Sequence, residues 1–199
     1  FKVSALAIRK LSAWVDNEKE TINDDDDKIG KKAKPESTMN FEAELENKFT
    51  NDEDIDIQDI TVKIEIQSID DGDDIEEETD TFDLNSDRRK TVTVDFGKLP
   101  LSVDEGDYDV IITVEGEDDD GLTHTIVWNS QITVDKDTHN VIIKKASLSP
   151  SVVSCSKQTT LSVQLVNFGS TDEDEVYLTA VNSVLGVQIS EANIELDND

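Results

Sequence analysis

The sequence predicts an all-β protein made of tandem two-sheet Greek-key sandwiches, the second incomplete within its 199 residues. Three observations carry this. Apolar and polar residues alternate with the period of a half-buried strand, most cleanly in Ile60, Val62, Ile64 and Ile66 against Thr61, Lys63, Glu65 and Gln67. No stretch shows the period of a helix. Turn-rich segments separate the alternating runs, giving roughly seven strands in about 125 residues, the density of a sandwich.

Val3, Leu6 and Ile8 open the chain, and residues 1–10 read as a junction strand from a preceding module. Leu11 to Val15 continues as a strand, and the acidic stretch Glu18 to Pro35 reads as a loop. Met39, Phe41, Ala43 and Leu45 then present an apolar face, with Asn40, Glu42, Glu44 and Glu46 on the wet side. After a turn at Asn51 to Asp54 comes the Ile60 to Gln67 run, then a second acidic loop, Asp70 to Glu78, around Gly72. Phe82 and Leu84 make a short edge strand; Val92, Val94 and Phe96 resume the alternation; Pro100 lies in a connection, where its missing donor does no harm. Tyr108, Val110, Ile112 and Val114 form the next strand, Glu117 to Gly121 a hairpin turn, and Leu122 to Val134 a long strand. These elements define one whole domain over residues 11–138.

The segment Asp104-Glu105-Gly106-Asp107-Tyr108 resembles the tyrosine-corner entry of immunoglobulin-like domains, in which a tyrosine hydroxyl ties the turn to backbone just upstream of a core strand. That resemblance implies immunoglobulin-like sandwiches. Val141-Ile142-Ile143-Lys144-Lys145-Ala146-Ser147 echoes Leu6-Ala7-Ile8-Arg9-Lys10-Leu11-Ser12, which points to a repeat of about 135 residues. Leu161, Val163 and Leu165, a turn at Asn167 to Ser170, and Val176, Leu178 and Ala180 start the second domain over residues 139–199. A complete sandwich takes about 100 residues, so this domain is partial, and its open sheet edge invites pairing.

The formal net charge of −29 excludes several partners. Such a chain repels the phosphates of nucleic acid and anionic lipid head groups. Cations, basic surfaces, a high-salt medium or plain solubility all accommodate it. No apolar run is long enough to span a membrane. No Asn-x-Ser/Thr sequon occurs, and Phe1 marks the chain as a segment of a longer precursor. Cys155 is the single cysteine, so no internal disulfide is expected; it reads as a small buried residue in preference to a thiol that bridges two chains.

Catalytic signatures are missing: there is no Gly-x-Ser-x-Gly elbow, P-loop or His-Glu-x-x-His. His124 shares a face with Ile126 and Trp128 and reads as packing. The protein is not expected to be an enzyme. Calcium takes six to eight oxygens from carboxylates and carbonyls at a backbone bend. Asp24, Asp25, Asp26 and Asp27 offer the densest set of carboxylates for calcium. Asp70, Asp71, Asp73 and Asp74 are a weaker candidate, and Asp118-Asp119-Asp120-Gly121 is a third cluster. None has EF-hand spacing, and solvated charge runs are the simpler account of all three.

Thr160-Leu161-Ser162-Val163-Gln164-Leu165-Val166-Asn167-Phe168-Gly169, followed by Val176-Tyr177-Leu178-Thr179-Ala180, resembles CARDB-type domains, with Cys155 and Ser156 where those modules often carry Gly. Glu42 to Asn47 and Gly106 to Val110 resemble the acidic tandem domains of archaeal S-layer proteins. This resemblance implies repeated extracellular modules that form a cell-surface lattice, stalk or filament, with other copies or neighbouring modules as partners. An adhesin holding a protein or glycan is the alternative, and an accessory domain of a secreted enzyme is a third class.

Overall fold

The computed structural model describes residues 4–152 and 158–198; Val3 and Cys155 lie outside them. The chain divides into two compact units, residues 1–135 and 136–199. In unit 1 the strands run β1 (Leu6–Val15), β2 (Glu18–Ile22), β3 (Thr38–Asn47), β4 (Ile57–Asp70), β5 (Asp73–Glu78), β6 (Phe82–Leu84), β7 (Arg89–Lys98), β8 (Gly106–Asp118) and β9 (Thr123–Val134). Unit 2 holds β10 (Val141–Ser149), β11 (Thr160–Asn167), β12 (Glu173–Asn182) and β13 (Val187–Leu196). The protein is all-β, as the alternation predicts.

Unit 1 is a sandwich of two antiparallel sheets. One has the order β2-β1-β3-β7; the other runs β5-β4-β8-β9, with β6 also paired to β4. Strands β1, β3 and β7 against β5, β4, β8 and β9 reproduce the A-B-E and C′-C-F-G layers of an immunoglobulin-like fold. Both sheets turn their apolar positions inward, and Leu11, Phe41 and Leu45 share one core with Ile64, Ile112 and Ile132. Fully burying a side chain of this size contributes about 1.5–3 kcal/mol. The Tyr108 hydroxyl at the start of β8 donates to the Asp104 carbonyl at 2.9 Å, the contact that the tyrosine-corner resemblance implies.

Three stretches depart from the sequence expectation. Residues 6–10 are not a junction, because β1 runs unbroken from Leu6, pairs with β3 and buries Leu6. Glu18 to Ile22 is the edge strand β2, joined to β1 by a tight turn in which Asp16 and Asn17 both have positive φ. Asp73 to Glu78 is likewise a strand, not loop, and Asp71-Gly72 is the two-residue turn before it, with φ of 51° and 90°. Positive φ at both central positions matches the right-handed strand twist, and Gly tolerates it without a Cβ penalty.

The two units share a construction detail. The β1–β3 ladder carries a bulge between Ile8 and Lys10, and the β10–β11 ladder carries one between Ile143 and Lys145. At the far end of each pair a buried Asn closes the strand. Asn47 Nδ2 donates to the carbonyls of Ile55 and Leu84, both at 3.0 Å, and its Oδ1 accepts the Phe49 N–H. Asn167 Nδ2 donates to Thr171 and Leu196 carbonyls, and its Oδ1 accepts the Gly169 N–H. Lys48 N–H reaches the Ala5 carbonyl as Phe168 N–H reaches that of Asn140, each at 2.8 Å. Both modules therefore begin with the same strand, and the basic pair shared by the two echoing segments lies inside it.

These contacts rank two substitutions. Tyr108→Phe removes one half-exposed hydrogen bond and is expected to cost about 0.5–1.5 kcal/mol. Asn47→Ala orphans the buried Leu84 carbonyl together with the half-buried Ile55 carbonyl and Phe49 N–H, and should cost at least ~2 kcal/mol. Urea midpoints of the two variants check the order.

Candidate functional site

Three features are the candidates for chemistry: the acidic loops, a buried acid–imidazole pair and an open apolar face. The acidic loops are positioned by backbone hydrogen bonding. After β2 the chain turns along the outer side of β9, with Ile29 N–H donating to Gln131 O and Ala33 N–H to Thr133 O, both at 2.9 Å. Ile29 and Ala33 are buried, which anchors a stretch that composition alone makes a solvated loop.

Within it, Asp25 Oδ1 accepts the Asn129 N–H at 2.6 Å, and Asp27 Oδ2 accepts the Asn23 N–H at 3.0 Å. The Asn23 amide, backbone first, holds the Asp27 carboxyl below the usual range. Asp26 has a φ of 68°, and its N–H donates to the Asn129 carbonyl; the Asp24 carbonyl accepts the Asp27 N–H. Asp70 and Asp73 face each other across the β4–β5 ladder, Asp71 occupies the turn, and Asp74 Oδ1 accepts the Ser68 N–H at 2.7 Å. Of the carboxylates nominated for calcium, those of Asp25, Asp27 and Asp74 thus each serve a backbone amide. Among the described residues no group of three or more His, Cys, Asp or Glu stands close enough to hold a metal ion.

The same role recurs elsewhere. Asp119 accepts the Asp56 N–H, Asp56 the Ser86 N–H, Asp16 the Thr38 N–H and Glu53 the Thr50 N–H, at 2.8–2.9 Å. A carboxylate accepting a backbone N–H makes a charge-assisted bond, roughly twice as strong as a neutral one. Much of the loop acidity is therefore structural.

Asp118 and His124 are the buried titratable pair that sequence reading missed. Asp118 Oδ1 accepts the N–H groups of Asp120 and Leu122, and its Oδ2 stands 3.0 Å from His124 Nε2. His124 Nδ1 accepts the Ala5 N–H at 3.2 Å. An N–H aimed at Nδ1 requires a lone pair there, which leaves the ring proton on Nε2, pointed at the carboxylate. Phe49 packs edge-on against the ring at 5.8 Å between centroids. With both nitrogens occupied, the imidazole clasps the start of β1 to the β8–β9 hairpin and has none left to act as a base. The apolar face shared with Ile126 and Trp128 was readable; Ala5, 119 positions away, was not.

The third feature is in unit 2. Leu161, Val163, Leu178, Ala180 and Ile189 line an open cleft of about 470 Å³ between its two hairpins. Ile189 is 55% exposed, and Phe168 is the one buried apolar side chain among the described residues of this unit. Ile194 also lines the cleft. β13 hides from a period-two reading because Asn193 takes a positive φ and the ladder shifts between Val176 and Leu178. Tyr177 is the exposed aromatic of the described residues, so they hold no platform of aromatic rings.

No family model and no curated protein matches the chain. Among solved structures it is similar to the C-terminal domain of wzt, at 9% identity and a TM-score of 0.48, covering 69% of this chain and 77% of that one. It is also similar to Spo0M, a sporulation control protein from Bacillus subtilis, at 10% identity and a TM-score of 0.35, over 96% and 91% of the two chains. No helix among the described residues is long and apolar enough to cross a membrane.

The Asp118 clasp has a pH signature. The Leu122 N–H first, then the His124 ring, hold the Asp118 carboxyl below the usual range. A carboxyl lowered in the folded state adds stability that is full above its unfolded value and fades as pH falls through the folded one. The stability gap between the parent chain and Asp118→Asn should be widest near neutral pH. It should close once pH drops below the ordinary carboxylate range, as read from urea midpoints across pH.

Proposed function

We propose that this chain is a structural component of an extracellular cell-surface assembly, an S-layer-like lattice, stalk or filament built from repeated β-sandwich modules. The observation that carries the reading is the recurrence, in unit 2, of the bulged first strand pair and its buried Asn. Modules repeated with the same internal register lend themselves to arrays in which each unit contacts its neighbours. The loops fit a scaffold role, since their carboxylates hold the chain's own turns in place. Partners in this reading are neighbouring modules or other copies.

Calcium enters as a diffuse counter-ion: a divalent cation relieves repulsion across a surface of net charge −29. Millimolar calcium and magnesium are then expected to raise the melting temperature equally. A rise with calcium alone would place specific sites in the loops.

The function is tested on intact source cells. A membrane-impermeant amine reagent should label the lysines of the protein, and antibodies should decorate the envelope at regular spacing in electron micrographs. An antigen confined to the cell interior sinks the proposal.

A further inference from the structure

Unit 2 matches the first part of unit 1 beyond the shared bulge, and the match extends to its last described residues. In unit 1, Asp56 Oδ1 accepts the Ser86 N–H at 2.9 Å; in unit 2, Asp172 Oδ1 accepts the Asn198 N–H at 3.0 Å. Ile57 pairs with Leu84 at the start of β4, and Glu173 pairs with Leu196 at the start of β12. The amides of Asn47 and Asn167 reach the carbonyls of Leu84 and Leu196 respectively. By these contacts β10, β11 and β12 stand for β1, β3 and β4, and β13 covers the span of β5 and β6. Asn198 occupies the place of Ser86. From Ser86, unit 1 reaches β7 at Arg89, three residues on.

The strands still without a counterpart among the described residues are the short outer strand β2 and, later in the chain, β7, β8 and β9. In unit 1, β7 pairs with the free edge of β3 and β8 with the free edge of β4. The same edges of β11 and β12 are unpaired, since each belongs to a two-stranded sheet. Their chemistry differs from that of edges meant to face water. The outer strands β2 and β5 read Glu-Lys-Glu-Thr-Ile and Asp-Asp-Ile-Glu-Glu-Glu. Charge of that kind blocks edge-to-edge pairing. β11, Thr-Leu-Ser-Val-Gln-Leu-Val-Asn, carries no charge at all, and β12 carries charge only at its start, in Glu173, Asp174 and Glu175. Uncharged edges of this kind leave pairing with a further strand open.

We infer that the open face of unit 2 is the binding site for three antiparallel strands equivalent to β7, β8 and β9, supplied by polypeptide continuous with Asp199. The first adds to β11, and the next two extend the sheet from β12. Their inward residues fill the cleft lined by Leu161, Leu178 and Ile189. The inference shares the internal repeat with the surface-assembly reading, but it concerns how the module closes and not where the protein resides. Either can fail alone.

The repeat fixes what that polypeptide must contain. Ser86 to Tyr108 spans 22 positions and Ser86 to Val134 spans 48. The gene should therefore encode an Asp-x-Gly-x-Tyr corner about 22 residues past Asn198, and alternating strands until about 48 residues past it. A reading frame that ends sooner, or that lacks this corner and alternation, overturns the inference, whatever the behaviour of the protein.

The physical test is amide hydrogen exchange on the 199-residue chain and on the chain extended by its own next ~50 residues. In the shorter chain, β11 and β12 should exchange freely while β3 and β4 are protected. Extension should slow exchange at β11 and β12 by about 100-fold or more, with the protein monomeric by light scattering. Unchanged exchange would overturn the assignment. So would a shorter chain that already protects β11 and β12 by dimerising, because the occupant would then be a second copy.

Discussion

The buried amide of Asn47 is the interaction on which the rest of the first sandwich depends. Three pieces of chain meet there: the end of β3, the approach to β4, and β6. At such a junction the backbone leaves its ladder, and every freed N–H and C=O needs a partner or costs free energy. One side chain supplies two donors and an acceptor in a space from which water is excluded. Its placement also fixes register, because Leu6 sits opposite Asn47 and the bulge at Arg9 sets the phase of β1 from there on. A slip of one residue would turn Leu11, Ala13 and Val15 from core to solvent. The same logic in unit 2, through Asn167, makes the amide a module-defining feature.

Acidity follows from a similar constraint at the loops. A two-sheet sandwich joins its strands by turns at both ends, and each turn exposes amides that the ladders do not use. Short carboxylate side chains such as those of Asp56, Asp74 and Asp119 accept those amides, and Asp16 does so from a positive φ position that Asp tolerates. The result is a surface whose charge is held in place by its own backbone. Self-repulsion is the cost, and Arg89 on Glu46 and Lys19 on Glu42, each at 2.7 Å, offset only part of it. Exposed pairs of this kind contribute about 0–1 kcal/mol each.

Strands with one wet and one dry face were legible in the sequence: β3, β4, β8 and β9 all show clean alternation. β2 and β5 were not, because an edge strand with charge on both faces has no apolar phase to read. Residues 1–10 read as a junction because the apolar run and basic pair at Leu6 to Lys10 recur at Val141 to Lys145, whereas a bulge fits each basic pair into the first strand of its unit. The acidic clusters were visible as composition, but their chemistry lay in direction. Nothing in the order Asn23 to Asp27 tells that Asp25 turns toward Asn129, over a hundred positions away. His124 was placed on the correct face, yet its partnership with Ala5 needed the fold to bring β1 beside the β8–β9 hairpin.

Unit 2 shows what half of such a sandwich lacks. Its two hairpins satisfy backbone groups within each pair, but an isolated two-stranded hairpin is at best marginally stable in water. Ordering each residue costs about 1–2 kcal/mol in backbone entropy, and apolar burial is what offsets it. In unit 1, twenty-six buried side chains form a single cluster between two sheets. In unit 2, Leu161 at 38% and Ile189 at 55% exposure keep most of that gain unrealised. The apolar residues of β11 and β12 alternate as those of unit 1 do, but among the described residues no further strand covers them. Stability in this unit is therefore a property of whatever covers the face. In a chain built of such modules, closure of each sandwich and folding of its first strands become one cooperative event.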